Sequence, residues 1–559
     1  MPLVDLSLGV TNDRPPLSDQ PFLWRANNIR VRAGYPETIG LIGPVRDYDA
    51  GGGASFGTQI NLPGAGIYRK IFHTPAAGIG QIIAGSNTNL TGLQADPAAT
   101  PATGVRFETV DLTPVSLPAA NDTVTSPSVG RVEIPPVWWF DDQDDLVVGA
   151  RADVVGDGVY VWDRTFNPAG GDEFVALTPD PNPLGGAATA IPVGAVAGGI
   201  INRTLVLLGC SEENAGSPGT AEPATRFMTY RWCDKGAFGQ WTSADTTSAG
   251  GDKLEGGSRI VGGGIVGFGV VIWTDKRMAV LRETFDTNVF DRDYIDGGRG
   301  LLANNAWCEA DGRVWWLDEH RTLNVYDGGR PRQIVNTNKV ASVERLEDPQ
   351  VSRIDLVANQ EFGEIIISYP EGNSDNPDKQ LVYNYIHDVW YPWSIARTAW
   401  TGRVGSLRSM TIDTNGDLFQ HDLDVPLGPP WGDPITPTAP LADDDVIEYS
   451  WSWSTNLISQ PDPTLMSWES SRVVLDYIPQ PVTAARNDTF TVSMTGYDAT
   501  AVTSPVETDT QTFGGADNVS EGDYRVGGKA IQVSASGTAQ KTVWRFGAID
   551  VSGRQAGER

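Results

Sequence analysis

The chain runs to 559 residues, with 63 Gly, 38 Pro, 18 Trp, a hydrophobic share of 40% and a formal charge of −29. That length exceeds what one hydrophobic core organises, and that hydrophobic share excludes a disordered chain. The acidity excludes a protein that grips nucleic acid through surplus Lys and Arg; it serves either solubility or a surface past which DNA slides, since carboxylate–phosphate repulsion reaches only about 8–10 Å at cellular salt.

Three cysteines, Cys210, Cys233 and Cys308, are too few and too odd in number for a disulfide framework, and suit assembly in a reducing cytoplasm. No secretory leader is expected from Met1 to Asp5, which has no basic start and no apolar run behind it. The most apolar stretch, Ile260 to Trp273, is too short and too rich in glycine to cross a bilayer, so no membrane-spanning segment is expected. Without a secretory route, the Asn-x-Ser/Thr triplets at Asn202 and Asn487 carry no weight.

In chain order, Pro15-Pro16 keeps the opening extended, and Ala26 to Gly34 alternates apolar and polar residues before a glycine turn, as a half-buried strand does. From about residue 50 to 425 a loose theme recurs, a short strand closing on an aromatic and then Asp or Asn. It is found at Val159–Asp163, Tyr230–Asp234, Leu323–Asp327, Leu381–Asn384 and Leu418–Asp422. Asp157-Gly158, Asp311-Gly312, Asp327-Gly328 and Asn415-Gly416 offer the positive-φ positions of tight hairpins. Such repetition predicts a β-propeller, with room for six or seven four-stranded blades; a string of β-sandwiches is the alternative that uneven spacing leaves open. Ala95 to Gly104, Phe166 to Gly186 and Ser211 to Thr225 read as inserted loops. The best helical spacing, Asn338 to Asp348, places Pro349 as its stop. Residues 426–445 read as a linker, after which alternating strands from Tyr449 to Ile549 predict a small sandwich.

The expected fold is therefore mainly β: a β-propeller-like body with a C-terminal β-sandwich-like domain. The divisions are an extended N-terminal assembly segment (1–49), the propeller-like body with inserted loops (50–425), a linker (426–445) and the sandwich-like assembly domain (446–559).

No catalytic, cofactor-binding or metal site is expected. His73, His320, His387 and His421 lack metal-ligand spacing with one another or with cysteine. Gly53-Ala54-Ser55-Phe56-Gly57 matches the nucleophile-elbow pattern but follows Gly51-Gly52, not a buried strand, and reads as a flexible loop. The glycines from Gly256 to Gly269 alternate with β-branched residues and predict a close-packed inner strand pair, not a phosphate cradle. Asp141-Asp142-Gln143-Asp144-Asp145 reads as a solvated turn without an EF-hand's closing Glu. The Ser-x-Asp-x-Gly-x-x-Trp box of propeller sialidases does not occur, which disfavours a glycosidase.

Three regions taken in order resemble the tail nozzle proteins (tail tubular protein B type) of short-tailed bacteriophages. The first is Gly9–Pro16 with Ala26–Arg32 and Gly34-Tyr35-Pro36-Glu37. The second comprises Gly262–Leu281, Trp315–Asp318, Asp327-Gly328-Gly329, Pro331–Val335, Glu364–Pro370, Leu381–Asn384 and Val389–Ser394. The last is Arg525–Lys529, Trp544–Gly547 and Gly553-Arg554. Residues 50 to 230 lie outside the resemblance. It implies a homo-oligomer, a hexameric ring beneath a tail adaptor, with a propeller per subunit and a narrow lumen for genomic DNA bound without sequence specificity. Tail fibre or tip proteins are the further partners, the distal tail of the virion is the location, and no enzyme activity or cofactor is implied. A closed ring needs two different complementary faces per subunit. Arg14, Arg25, Arg30, Arg32, Arg545 and Arg554, in the terminal segments, are the candidate interface residues, because the guanidinium fork pairs with carboxylates. The competing reading is a propeller lectin or receptor-binding protein, whose Trp residues would stack sugars were they not at strand positions that core burial explains.

Overall fold

The structure is a computed structural model. It describes residues 17–18, 23–32, 35–39, 42–45, 59–63, 66–74, 81–95, 107–114, 117, 137–143, 146–152, 158–164, 173–185, 188–210, 228–284, 289–334, 348–402, 409–421, 449–455, 457–459, 466–477, 489–497, 505–514, 524–539 and 544–555.

Among the described residues seven antiparallel sheets of four strands follow one another and make a β-propeller. Their inner strands are Tyr68–Thr74, Trp138–Gln143, Ala197–Ile201, Ile260–Val266, Trp307–Ala310, Asp355–Asn359 and Ala399–Thr401, which number blades 1 to 7. The recurring aromatic theme marks the third strand of blades 2, 3, 5, 6 and 7. Of its aromatics, Trp162, Tyr326 and Tyr383 are buried. Its closing Asp or Asn turns the chain: Asn384 Oδ1 accepts from the N–H of Ile386 and His387, and Asp327 Oδ1 from that of Gly329. The Asp311-Gly312 turn of blade 5 has both residues at positive φ, 51° and 69°, as a two-residue hairpin needs.

The glycine run behaves as its pattern predicts. Ile260–Val266 and Gly269–Thr274 pair as the first two strands of blade 4. A Cβ on Gly263 would lie 2.3 Å from the Val271 carbonyl oxygen. Among the described residues eight indoles are almost wholly buried, those of Trp138, Trp241, Trp273, Trp315, Trp316, Trp393, Trp451 and Trp453.

Two expectations are corrected. The described strands of the N-terminal segment 1–49 do not form a separate unit. Gly43–Pro44 is the outermost strand of blade 7, pairing with Leu418–Gln420, so the propeller ring is closed by strands from far apart in the sequence. The strands before it enter the sandwich. Leu17–Ser18 and Leu23–Asn27 join the sheet of Tyr449–Thr455, Leu457–Ser459, Thr489–Tyr497, Pro505–Gly514 and Ala530–Ala539. Ile29–Arg32 and Tyr35–Thr38 join that of Met466–Tyr477, Tyr524–Gly528 and Trp544–Gln555. The physical reason is edge pairing: strands left alone would present unmet N–H and C=O groups. Nor does Pro349 stop a helix. It lies within the helix Asp348–Val351, not after its end. Residues 335–347, the glycine–serine pattern at 53–57, the linker 426–445 and the inserted loops 96–104 and 211–225 lie outside the described residues. Within 166–186, Val175–Ala176 is the outer strand of blade 2.

Propeller and sandwich share one core. Ile29, Val31, Trp451, Trp453 and Phe490 of the sandwich cluster with Ile366, Val382, Tyr391 and Trp393 of blade 6. Polar contacts at the junction are equally direct. Asn28, at φ 54°, gives its Nδ2 to Ser450 O at 2.7 Å and accepts on Oδ1 from Ser394 N at 2.7 Å, while Trp393 Nε1 donates to Ile29 O at 3.1 Å.

Candidate functional site: the axial cavity and the domain junction

The seven inner strands surround a cavity of about 400 Å³ on the propeller axis. Its wall is uneven. Blades 3 and 4 present bare backbone at Gly198 and Gly264, and blades 2 and 5 lean Trp139 and Trp307 over it. A Cβ on Gly198 would lie 2.7 Å from the Trp139 ring, and one on Gly264 would lie 2.6 Å from the Trp307 ring. Glycine at these positions is what admits the indoles.

The same two inner strands each supply a carboxylate just beyond the indole. Asp141 Oδ2 accepts from Ile200 N in blade 3 at 2.6 Å, and its Oδ1 accepts from Asp142 N at 2.9 Å. Burial pushes its carboxyl up to about 6. This corrects the solvated-turn expectation for its position: the side chain is turned inward and held by the next blade. Glu309 Oε1 accepts from Gly267 N in blade 4 at 3.4 Å, and burial raises its carboxyl too. On the inner strand of blade 1, next to blade 2, His73 is held neutral by burial, which lowers it to about 4, and neither ring nitrogen has a partner. Trp139 Nε1 is likewise buried and unpartnered.

Lys70 also lines the cavity. Its charge opposes the burial that lifts Asp355 to about 7, but no ion pair joins the two, and Asp355 Oδ1 lacks a hydrogen-bond donor. Burial raises the Cys308 thiol, so it stays protonated and a poor nucleophile. Cys210 and Cys233 are buried in blade 3. Among the described residues, no three of His, Cys, Asp and Glu gather closely enough to hold a metal ion. The remaining histidines are dispersed; His421 is buried under Trp400 and bonded to Thr411 Oγ1 at 2.9 Å.

Of the candidate interface arginines, Arg14 lies outside the described residues. Arg25 and Arg32 fall on sandwich strands, Arg545 opposite Glu37 and Asp476, and Arg554 opposite Ser467. Arg30 is a correction. It is 3% exposed and bound inside its own chain, Nε to Glu364 Oε1 at 2.6 Å and Nη2 to Oε2 at 3.2 Å. Phe362 stacks on its guanidinium at 3.6 Å. Tyr391 Oη donates to Glu364 Oε1 at 2.5 Å, and Asn359 Nδ2 to Oε2 at 3.2 Å. A side chain so enclosed has no surface to offer a neighbouring subunit; it fastens the sandwich to blade 6.

The axial residues escaped the sequence because each is ordinary alone. A usable signal was present: an indole followed at short range by a carboxylate at Trp139–Asp141 and Trp307–Glu309, each beside a glycine-rich strand.

The chain matches no protein-family model and no curated protein. Among solved structures it is similar to BamB from Moraxella catarrhalis (12% identity, TM-score 0.34, covering 75% of this chain and 99% of that one). It is similar also to the computationally designed Ika8 protein (12%, 0.34, 65% and 98%) and to YCF48 from Cyanidioschyzon merolae (10%, 0.27, 65% and 98%). These likenesses concern the fold alone, and the strand pairing of the described residues makes a β-propeller of seven blades joined to a β-sandwich.

Proposed function

We propose that the chain is a structural subunit of the tail nozzle of a short-tailed phage, closing with copies of itself into a ring that conducts and retains genomic DNA and opens for ejection. The observation that supports this most is where the nozzle-like segments lie. The opening strands Ile29–Arg32 and Tyr35–Thr38 and the closing strand Trp544–Gln555 share one sheet, Glu37 opposite Arg545, although nearly the whole chain separates them. The middle segments fall on blades 4, 5 and 6, and blade 6 shares its core with the sandwich.

A ring wall must hold its shape while DNA moves past it, and a propeller closed by its own N-terminal strand and fused to a sandwich suits that task. Each subunit would offer two different faces to its neighbours in a hexameric ring. The surplus of carboxylates lets DNA pass by repulsion at close range. The reading places a tail adaptor above the ring and fibre or tip proteins around it, and it requires no chemical step.

Cryo-electron microscopy of virions, with mass measurement of the purified chain, tests it. A ring at the distal tail, built from this chain, is expected. A strictly monomeric protein absent from purified particles would overturn the proposal.

A further inference from the structure

We propose that the axial cavity of the propeller binds a neutral saccharide, one or two sugar rings in size, with the partly exposed Trp307 as the stacking wall and Asp141 and Glu309 as hydroxyl acceptors. This goes beyond the nozzle reading and does not depend on it.

The cavity, at about 400 Å³, lies within the roughly 300–1,000 Å³ of ordinary ligand pockets, and it combines aromatic walls with a few convergent polar groups. The polar groups decide the ligand class. Those left unmet are of both kinds: the Trp139 Nε1–H needs an acceptor, while neutral His73 offers one donor and one acceptor, neither engaged. Among the described residues no cation pairs with Asp141 or Glu309, whose neighbours are backbone N–H groups.

A cationic ligand would satisfy the two carboxylates but meet Lys70 and leave the indole N–H unmet. An anion would be drawn to Lys70 but repelled by Asp141 and Glu309. A hydroxyl both donates and accepts, so a polyhydroxylated ring answers all these groups at once. Its apolar C–H face suits the flat, partly exposed Trp307 indole, a large apolar surface with a polar edge. Sugar hydroxyls donate and accept as water does, so they can reproduce the bonds that water makes to groups of this kind.

The experiment is calorimetric titration and saturation-transfer NMR of the full chain with glucose, galactose, N-acetylglucosamine, maltose and lactose. Spermidine and inorganic phosphate serve as ionic probes. Saturable binding of at least one neutral sugar is expected, weakened tenfold or more in Trp307→Ala and in Glu309→Ala. Thr510→Ala, on the exposed sandwich hairpin, should bind as the parent does. Thermal melting establishes that the variants are folded, and Glu309→Ala is only half-buried and keeps the test open should Trp307→Ala fail to fold. The proposal is overturned if the folded chain binds none of these sugars, if folded variants bind unchanged, or if only spermidine or phosphate binds. None of those results bears on ring formation, which virion images judge separately.

Discussion

Two buried carboxylates of blade 6, a strand apart, are treated in opposite ways. Glu364, at the junction with the sandwich, has both oxygens engaged by Arg30, Tyr391 and Asn359. Asp355, near the propeller axis, keeps an oxygen without a donor and feels Lys70 only at a distance. A buried charge that is fully bonded fixes geometry, and one that is half-bonded stores an unmet demand. The junction is thus built to hold, and the axis is left open to solvent or ligand.

The broadest way to break this contrast is to remove the N-terminal strands. A chain lacking residues 1–45 loses the outer strand of blade 7 and four strands of the sandwich. We expect loss of cooperative unfolding and aggregation through exposed edges, read by melting and light scattering. A soluble, cooperative truncation would mean the junction holds nothing together.

Next in size, Glu364→Ala takes from the buried Arg30 its two-point carboxylate partner and should cost about 3–5 kcal/mol in denaturant unfolding. Replacing both partners, Arg30→Met with Glu364→Leu, should recover most of that loss, since the desolvation of two charges disappears with them. If the single and double variants are equally destabilised, the pair is not the fastening described.

The axis should respond to pH instead. The carboxyl of Asp355 titrates at about 7 in the folded chain against 3.8 ordinarily. The folded state therefore retains a proton that the unfolded chain releases, and this contribution to stability, full below about pH 4, is lost as pH rises to about 7. Asp355→Asn should gain on the parent in melting temperature at pH 8 relative to pH 4. An equal gap at both values would show that the carboxyl is well solvated. His73 and His421, both held neutral by burial, act in the opposite direction, with stability lost as pH falls below the ordinary histidine value.

The smallest effect compares two indoles. Trp393→Phe removes a donor to Ile29 O, whereas Trp139→Phe removes an N–H that has no partner. The junction variant should be the less stable by about 1 kcal/mol in chemical denaturation.

What could be read along the chain was local. Alternation of apolar and polar residues, the aromatic theme closing on Asp or Asn, and the Asp-Gly turns specify strands and hairpins, because side-chain period and turn chemistry act over a few residues. Strand Leu323–Tyr326 with its Asp327-Gly328 turn needed nothing more. Closure was not legible in this way. That Gly43–Pro44 completes blade 7, that Arg30 meets Glu364, and that Trp139 and Asp141 converge with Trp307 and Glu309 on one cavity depend on strands brought together from across the chain. Pairing of that kind is chosen by which edges and buried charges remain unmet once the local pieces exist, so only the assembled tertiary structure could decide it.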